Sequence, residues 1–162
     1  MKEILKYSCL IFLYALSHSY LATCFAIDLK IKGYEERYIG LSLSFWGIGV
    51  ILGALLHNLI RKKLNLFSTI LYGSIIQLSF SLIFLIDQNT FLVALMQFVM
   101  GITSAINSLT LESHISSKFK KTSGFYISLF WSSAGLGAIT GSLFIAINLS
   151  LIHISEPTRQ DR

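Results

Sequence analysis

The fold turns on one stretch of chain, Phe45-Trp46-Gly47-Ile48-Gly49-Val50-Ile51-Leu52-Gly53. It carries no charge, sits inside an apolar run from Tyr38 to Leu59, and spaces its glycines as G-x-G-x-x-x-G. As a helix rising about 1.5 Å per residue, such a run crosses about 30 Å of hydrocarbon. Four runs of the same kind surround it: Tyr7–Ile27 before, and Leu66–Ile86, Phe91–Leu111 and Gly124–Ile147 after. None has the two-residue alternation of a barrel strand, so α-helices are the spanning form left to them. The first run is too long for a removed signal peptide and lacks a small-residue cleavage site.

Composition agrees. Of the 162 residues, 54% are apolar and 13% charged, with a mean hydropathy of +0.68. A soluble domain averages about 25% charged residues, so a water-soluble globule is excluded. An aromatic content of 13% with long aliphatic runs excludes intrinsic disorder. One proline and 11 glycines suit helices better than turn-rich β structure. The expected fold class is all-α, a polytopic helical membrane protein with five transmembrane helices.

The net charge of +5 does not point to nucleic acid, because its basic residues fall in short clusters between apolar runs. Lys2, Lys6, Arg61, Lys62, Lys63, Lys118, Lys120 and Lys121 lie on the N-terminal side of the membrane. Lys30, Lys32 and Arg37 lie on the other, diluted by Asp28, Glu35, Glu36 and Asp87. That imbalance places the N-terminus in the cytoplasm of a multi-pass protein of the cytoplasmic (inner) membrane. Arg61, Lys62 and Lys63 then read as a topology signal in contact with anionic lipids. Glu112, at the cytoplasmic rim, is within reach of Lys118 to Lys121 for a structural ion pair. Cys9 and Cys24 read as buried free thiols; with no His/Cys cluster beside them, no metal site and no cofactor are expected.

The glycine pattern recurs. Phe130-Trp131 is followed by Gly135-Leu136-Gly137-Ala138-Ile139-Thr140-Gly141, again G-x-G-x-x-x-G after a Phe-Trp pair, with three extra residues between pair and glycines. The second helix runs outside to inside and the fifth inside to outside. An element repeated three helices later in the opposite direction is the inverted 3+3 repeat of many secondary transporters. Gly47, Gly49, Gly53, Gly135, Gly137 and Gly141 are assigned to close helix packing and conformational change. A dinucleotide-binding loop is excluded, because no strand precedes either motif.

Taken together the chain resembles the N-terminal half of a major facilitator superfamily transporter over residues 1–147. That family joins its second and third helices with G-x-L-A-D-R-x-G-R-K-x-x-L. Here Gly53, Leu55, Arg61 and Lys62 match and Leu64 closes the motif one place early, while Leu56, His57, Asn58 and Ile60 replace the Ala, Asp, Arg and Gly. Gly101 to Ala105 and Leu111-Glu112-Ser113-His114-Ile115 are similar to a G-x-x-x-A…E-S-W-L pattern of some permeases, with His114 and Ile115 for the Trp and Leu. The fifth helix resembles the G-x-x-x-G-P-x-x-G-G pattern of antiporters without its proline. The resemblance implies an N-terminal six-helix bundle, truncated here to five helices, whose first and fourth helices line a central cavity.

Polar residues inside a span are costly enough to need a role. Tyr14 and His18 share a face of the first helix. Gln97, Gly101, Ser104 and Ser108 form an i, i+4, i+7, i+11 stripe on the fourth helix, ending towards Glu112. Tyr14, His18, Gln97, Ser104 and Ser108 are the candidates for a substrate or proton pathway, since a mid-membrane imidazole titrates near neutral pH. The bland reading is that the serines bond their own helix and Gln97, like Gln77 and Asn107, bonds a neighbouring helix.

The functional expectation is a secondary transporter for an unspecified small solute, with protons as a candidate coupling ion and lipids as partners. The alternative is a non-transporting membrane-embedded assembly protein. An intramembrane enzyme is not expected: Ser113 and His114 point about 100° apart on a helix, and no H-E-x-x-H or G-x-S-x-G is present. Residues 148–162 form a separate tail. Leu149-Ser150-Leu151-Ile152-His153-Ile154-Ser155-Glu156-Pro157-Thr158-Arg159 resembles the translation of a transposase sequencing-library adapter without a mismatch. The expectation is a non-native tail, with the missing C-terminal half of the same protein as the natural partner.

Overall fold

The computed structural model describes residues 2–82 and 89–155. Five helices follow in order: α1 (Lys2–Ile31), α2 (Glu36–Lys63), α3 (Leu66–Leu82), α4 (Thr90–Lys118) and α5 (Ser123–Ser155). There is no strand among the described residues. Four helices are long and apolar enough to cross a membrane, over Glu3–Ile31, Glu36–Lys63, Thr90–Lys118 and Ser123–Asn148. α3 has 17 described residues, about 26 Å of helix, and residues 83–86 of the expected third span lie outside the described residues.

The helices outrun the apolar runs because their polar flanks are also good helix formers. α1 continues until Gly33, whose φ of 83° is left-handed. There Tyr34 N–H donates to Leu29 O at 3.1 Å and Gly33 N–H to Lys30 O at 3.0 Å, the paired bonds of a Schellman cap. α3 and α4 open on asparagine caps. Asn65 Oδ1 accepts from Ser68 N–H at 2.8 Å, and Asn89 Oδ1 from Leu92 N–H at 2.9 Å. α5 passes the expected limit at Ile147 and includes 149–155, since no helix breaker occurs before Pro157. Residues 156–162 of the expected tail lie outside the described residues.

The chain divides into two compact units. One contains α1 up to Cys24 and α5 from Ser128; the other runs from Phe25 to Ile127. In the second unit α4 is the central element. Six consecutive residues, Thr103 to Ser108, are all buried, which covers the whole circumference of a helix with 3.6 residues per turn. α2 packs along α4 and α3 packs on α4, whereas α2 and α3 barely touch. α3 thus packs on its chain neighbour α4, while α2 packs on α4, one helix further along the chain, rather than on α3. Outward faces stay apolar: Leu55, Leu59, Phe67, Leu78 and Phe144 are all exposed, as expected of helices solvated by lipid tails.

Candidate functional site

The glycine repeats resolve into contacts. In α2, Gly49 and Gly53 lie directly on the α4 backbone. A Cβ at Gly49 would overlap the Phe98 carbonyl oxygen, and one at Gly53 would lie 2.5 Å from Ile102 O and 2.9 Å from Ala105 Cβ. Within the other unit, a Cβ at Gly137 would overlap the Phe12 carbonyl oxygen and one at Gly141 that of Leu16. Each helix pair thus seats two glycines, four residues apart, on two carbonyls, four residues apart.

The first glycine of each motif behaves differently. A Cβ at Gly47 or Gly135 would meet nothing within 4 Å. Among the described residues, close packing is therefore made by Gly49, Gly53, Gly137 and Gly141 and not by Gly47 or Gly135. A period of two residues separates Gly47 from Gly49, which turns them about 200° apart on a helix, so one faces the partner and the other faces away.

The same contacts refine the repeat. A shift of 88 positions carries Gly47, Gly49 and Gly53 onto Gly135, Gly137 and Gly141 without a gap, and also Ser44 onto Ser132 and Leu55 onto Leu143. The Phe-Trp pairs are not equivalent, and the three-residue insertion they required disappears. A shift of 86 positions carries Phe12 and Leu16 onto Phe98 and Ile102, and sets His18 on Ser104.

The polar stripe of α4 is buried throughout. Gln97 is 1% exposed, and Ser104 and Ser108 are also buried. Gly101, in the middle of the stripe, is the crossing point with α2: a Cβ there would lie 2.9 Å from Val50 N and 3.0 Å from Gly49 Cα. Gln97 Nε2 has no hydrogen-bond partner among the described residues. Tyr14 and His18 are half-buried on α1. They lie about half a turn round the helix from Phe12, Leu16 and Tyr20, the line that meets α5.

Several serines and threonines bond their own helix, as the bland reading expected: Ser17 Oγ donates to Leu13 O at 2.8 Å, and Thr103 Oγ1 to Val99 O and Met100 O, each at 3.1 Å. Ser19 instead bonds across helices. Its hydroxyl joins that of Ser142 at 2.7 Å, linking α1 to α5. Asn107 Oδ1 has no hydrogen-bond partner among the described residues. The carboxamide is instead laid against Gly73, where an added Cβ would sit 2.8 Å from Nδ2 and 2.9 Å from Cγ. Thr110 is fully buried on the same helix, with Oγ1 unbonded among the described residues. Sequence reasoning passed over Thr110 because a lone threonine in a span carries no periodic signal.

At the helix ends, Arg61, Lys62 and Lys63 fill the last turn of α2, where cations oppose the negative end of the helix dipole. Glu112 is half-buried on α4. Cys9 is exposed and Cys24 half-buried, so only the free state of the two thiols, not their burial, is as expected. Among the described residues no group of three His, Cys, Asp or Glu side chains converges to hold a metal ion. Comparison of the chain with known protein families, with curated proteins and with solved structures returned no match.

Proposed function

We propose that the chain acts in secondary transport of the major facilitator type, moving a small solute across the cytoplasmic membrane by alternating access, with its N-terminus inside. One observation carries this reading. The two units repeat one packing device, a glycine pair on a carbonyl pair, with the glycines related by a shift of 88 positions and the carbonyl residues by one of 86, as an internally duplicated transporter would have. Helices that cross through glycine and backbone lack interlocked side chains, and a small rotation or tilt between them disturbs few contacts. Buried polar atoms on α4, Gln97 Nε2 above all, supply hydrogen-bonding capacity at membrane depth that an uncharged or zwitterionic solute can use. Protons are the coupling ion of this proposal, with His18 as the titrating group.

The test is uptake into vesicles carrying the protein encoded at the complete source locus, established by long-read sequencing. Gradient-dependent accumulation of a solute from a broad panel is the expected result. No flux for any solute, with the protein correctly inserted, counts against transport and leaves a membrane-embedded assembly protein as the reading.

A further inference from the structure

We propose that the end of the α2–α4 unit bearing Arg61, Lys62, Lys63 and the Lys118–Tyr126 turn is a docking surface for anionic phospholipid headgroups. α2 and α4 run parallel, because their contacts advance together from Gly49 with Gly101 to Gly53 with Ala105. Continuing that register, Lys63 lies level with Ile115, and Lys118 follows about 5 Å beyond it. The basic residues of both helices therefore gather at one end.

The opposite end of α2 is neutralised. Lys30 pairs with Glu36 at 2.6 Å, Lys32 with Asp28 at 3.0 Å and Arg37 with Glu35 at 2.7 Å. At the basic end, Arg61, Lys62, Lys63, Lys120 and Lys121 form no ion pair among the described residues, and Glu112 is the one nearby carboxylate in sequence. The turn itself is shaped for an interface. Thr122 N–H donates to Phe119 O at 2.9 Å, which leaves Lys120 and Lys121 at the two central positions of the turn. On either side of them in the chain, the rings of Phe119 and Tyr126 are 4.5 Å apart, and Phe125, 5.5 Å from Tyr126, is exposed. Lysines at the tip of a turn with aromatic rings at its base match the headgroup and upper acyl layers of a leaflet in that order. The charge asymmetry selects an anionic leaflet over a zwitterionic one.

The experiment uses the full chain in nanodiscs, which expose both faces and make insertion direction irrelevant. Spin-labelled phosphatidylglycerol and phosphatidylcholine are compared for the motionally restricted fraction at the protein. The expected result is a preference for phosphatidylglycerol of about fivefold or more that falls as salt rises. It should collapse towards unity when Arg61, Lys62, Lys63, Lys120 and Lys121 are all changed to Gln, and survive when the four lysines are changed to Arg. Equal restriction of both lipids, or a preference unchanged by the Gln substitutions, overturns the proposal. So does full competition by soluble glycerol phosphate, which identifies a free-phosphate site instead. Because the readout is lipid contact and not flux, it stands apart from the transport reading.

Discussion

Gly49 of α2 and Gly101 of α4 face each other with no side chain between them; a Cβ built on Gly101 would stand 3.0 Å from Gly49 Cα. This crossing sets how near the two helices lie, and it separates glycines that look alike in sequence. Gly49→Ala is expected to cost about 1–3 kcal/mol, because the methyl group meets the Phe98 carbonyl, a backbone group that cannot swing aside. Gly47→Ala is expected to gain up to about 1 kcal/mol from helix propensity alone, since its Cβ enters open space. Reversible unfolding in mixed micelles measures both, and equal effects at the two positions would contradict the assignment. Gly137 and Gly135 should repeat the contrast.

The Asn107–Gly73 contact predicts a coupled pair. Gly73→Ala alone forces the carboxamide away and should destabilise α3 packing. In an Asn107→Ala background the same change should cost much less, because the three atoms nearest to the added methyl group all belong to Asn107. A double-mutant cycle should return a coupling of about 1–2 kcal/mol. Simple additivity would show that α3 sits elsewhere.

Ser19 and Ser142 predict a smaller effect. Replacing either by Ala removes the hydroxyl pair that links α1 to α5, and interhelical hydrogen bonds in membrane proteins average about 0.6 kcal/mol. The double variant should cost no more than either single one. A loss of several kcal/mol from one substitution would mean that its partner is left buried and unsatisfied.

Gln97 separates stability from function. Gln97→Leu removes a buried amide nitrogen that has no partner among the described residues, so the variant should unfold later than the parent, by about 1–3 kcal/mol. If transport is the function, the same variant should lose solute affinity while gaining stability. Reduced stability would instead reveal a structural partner for the amide.

His18 is the test of proton coupling. His18→Ala in the complete protein should abolish gradient-driven uptake and preserve substrate exchange, with the pH dependence of exchange flattened. Uptake and pH profile identical to the parent would remove His18 from the mechanism.

The spans were legible in the sequence because a membrane helix is specified by local composition, and Tyr38–Leu59 lies inside α2. The recurrence of the glycine pattern was legible too, since glycine spacing survives translation along the chain. Which glycines pack was not legible: Gly47 and Gly49 differ only in the face they present, and the partner decides which face matters. The pairing of α2 with α4 was hidden for a related reason. Loop length tells which helices are tethered, whereas the Gly49–Gly101 crossing shows which surfaces fit. For the candidate site, burial of Gln97 and Ser104 followed the polar stripe, but Asn107 Oδ1 and Thr110 Oγ1, unbonded among the described residues, could only be found once their neighbours were known.

The central position of α4 has a consequence for how this chain is made. α2 and α3 leave the ribosome before α4, joined by Leu64 and Asn65, yet they barely touch each other. Their shared partner ends at Lys118, 55 residues after Lys63, which at about 5–20 residues per second is a delay on the order of 3–11 s. Throughout that interval the Gly49 and Gly53 groove and the Gly73 notch face lipid, insertion-factor surfaces or other nascent helices. A chain halted before α4 would therefore be inserted but unassembled, and quality-control proteases that sample unpaired helices would meet it first at those glycines.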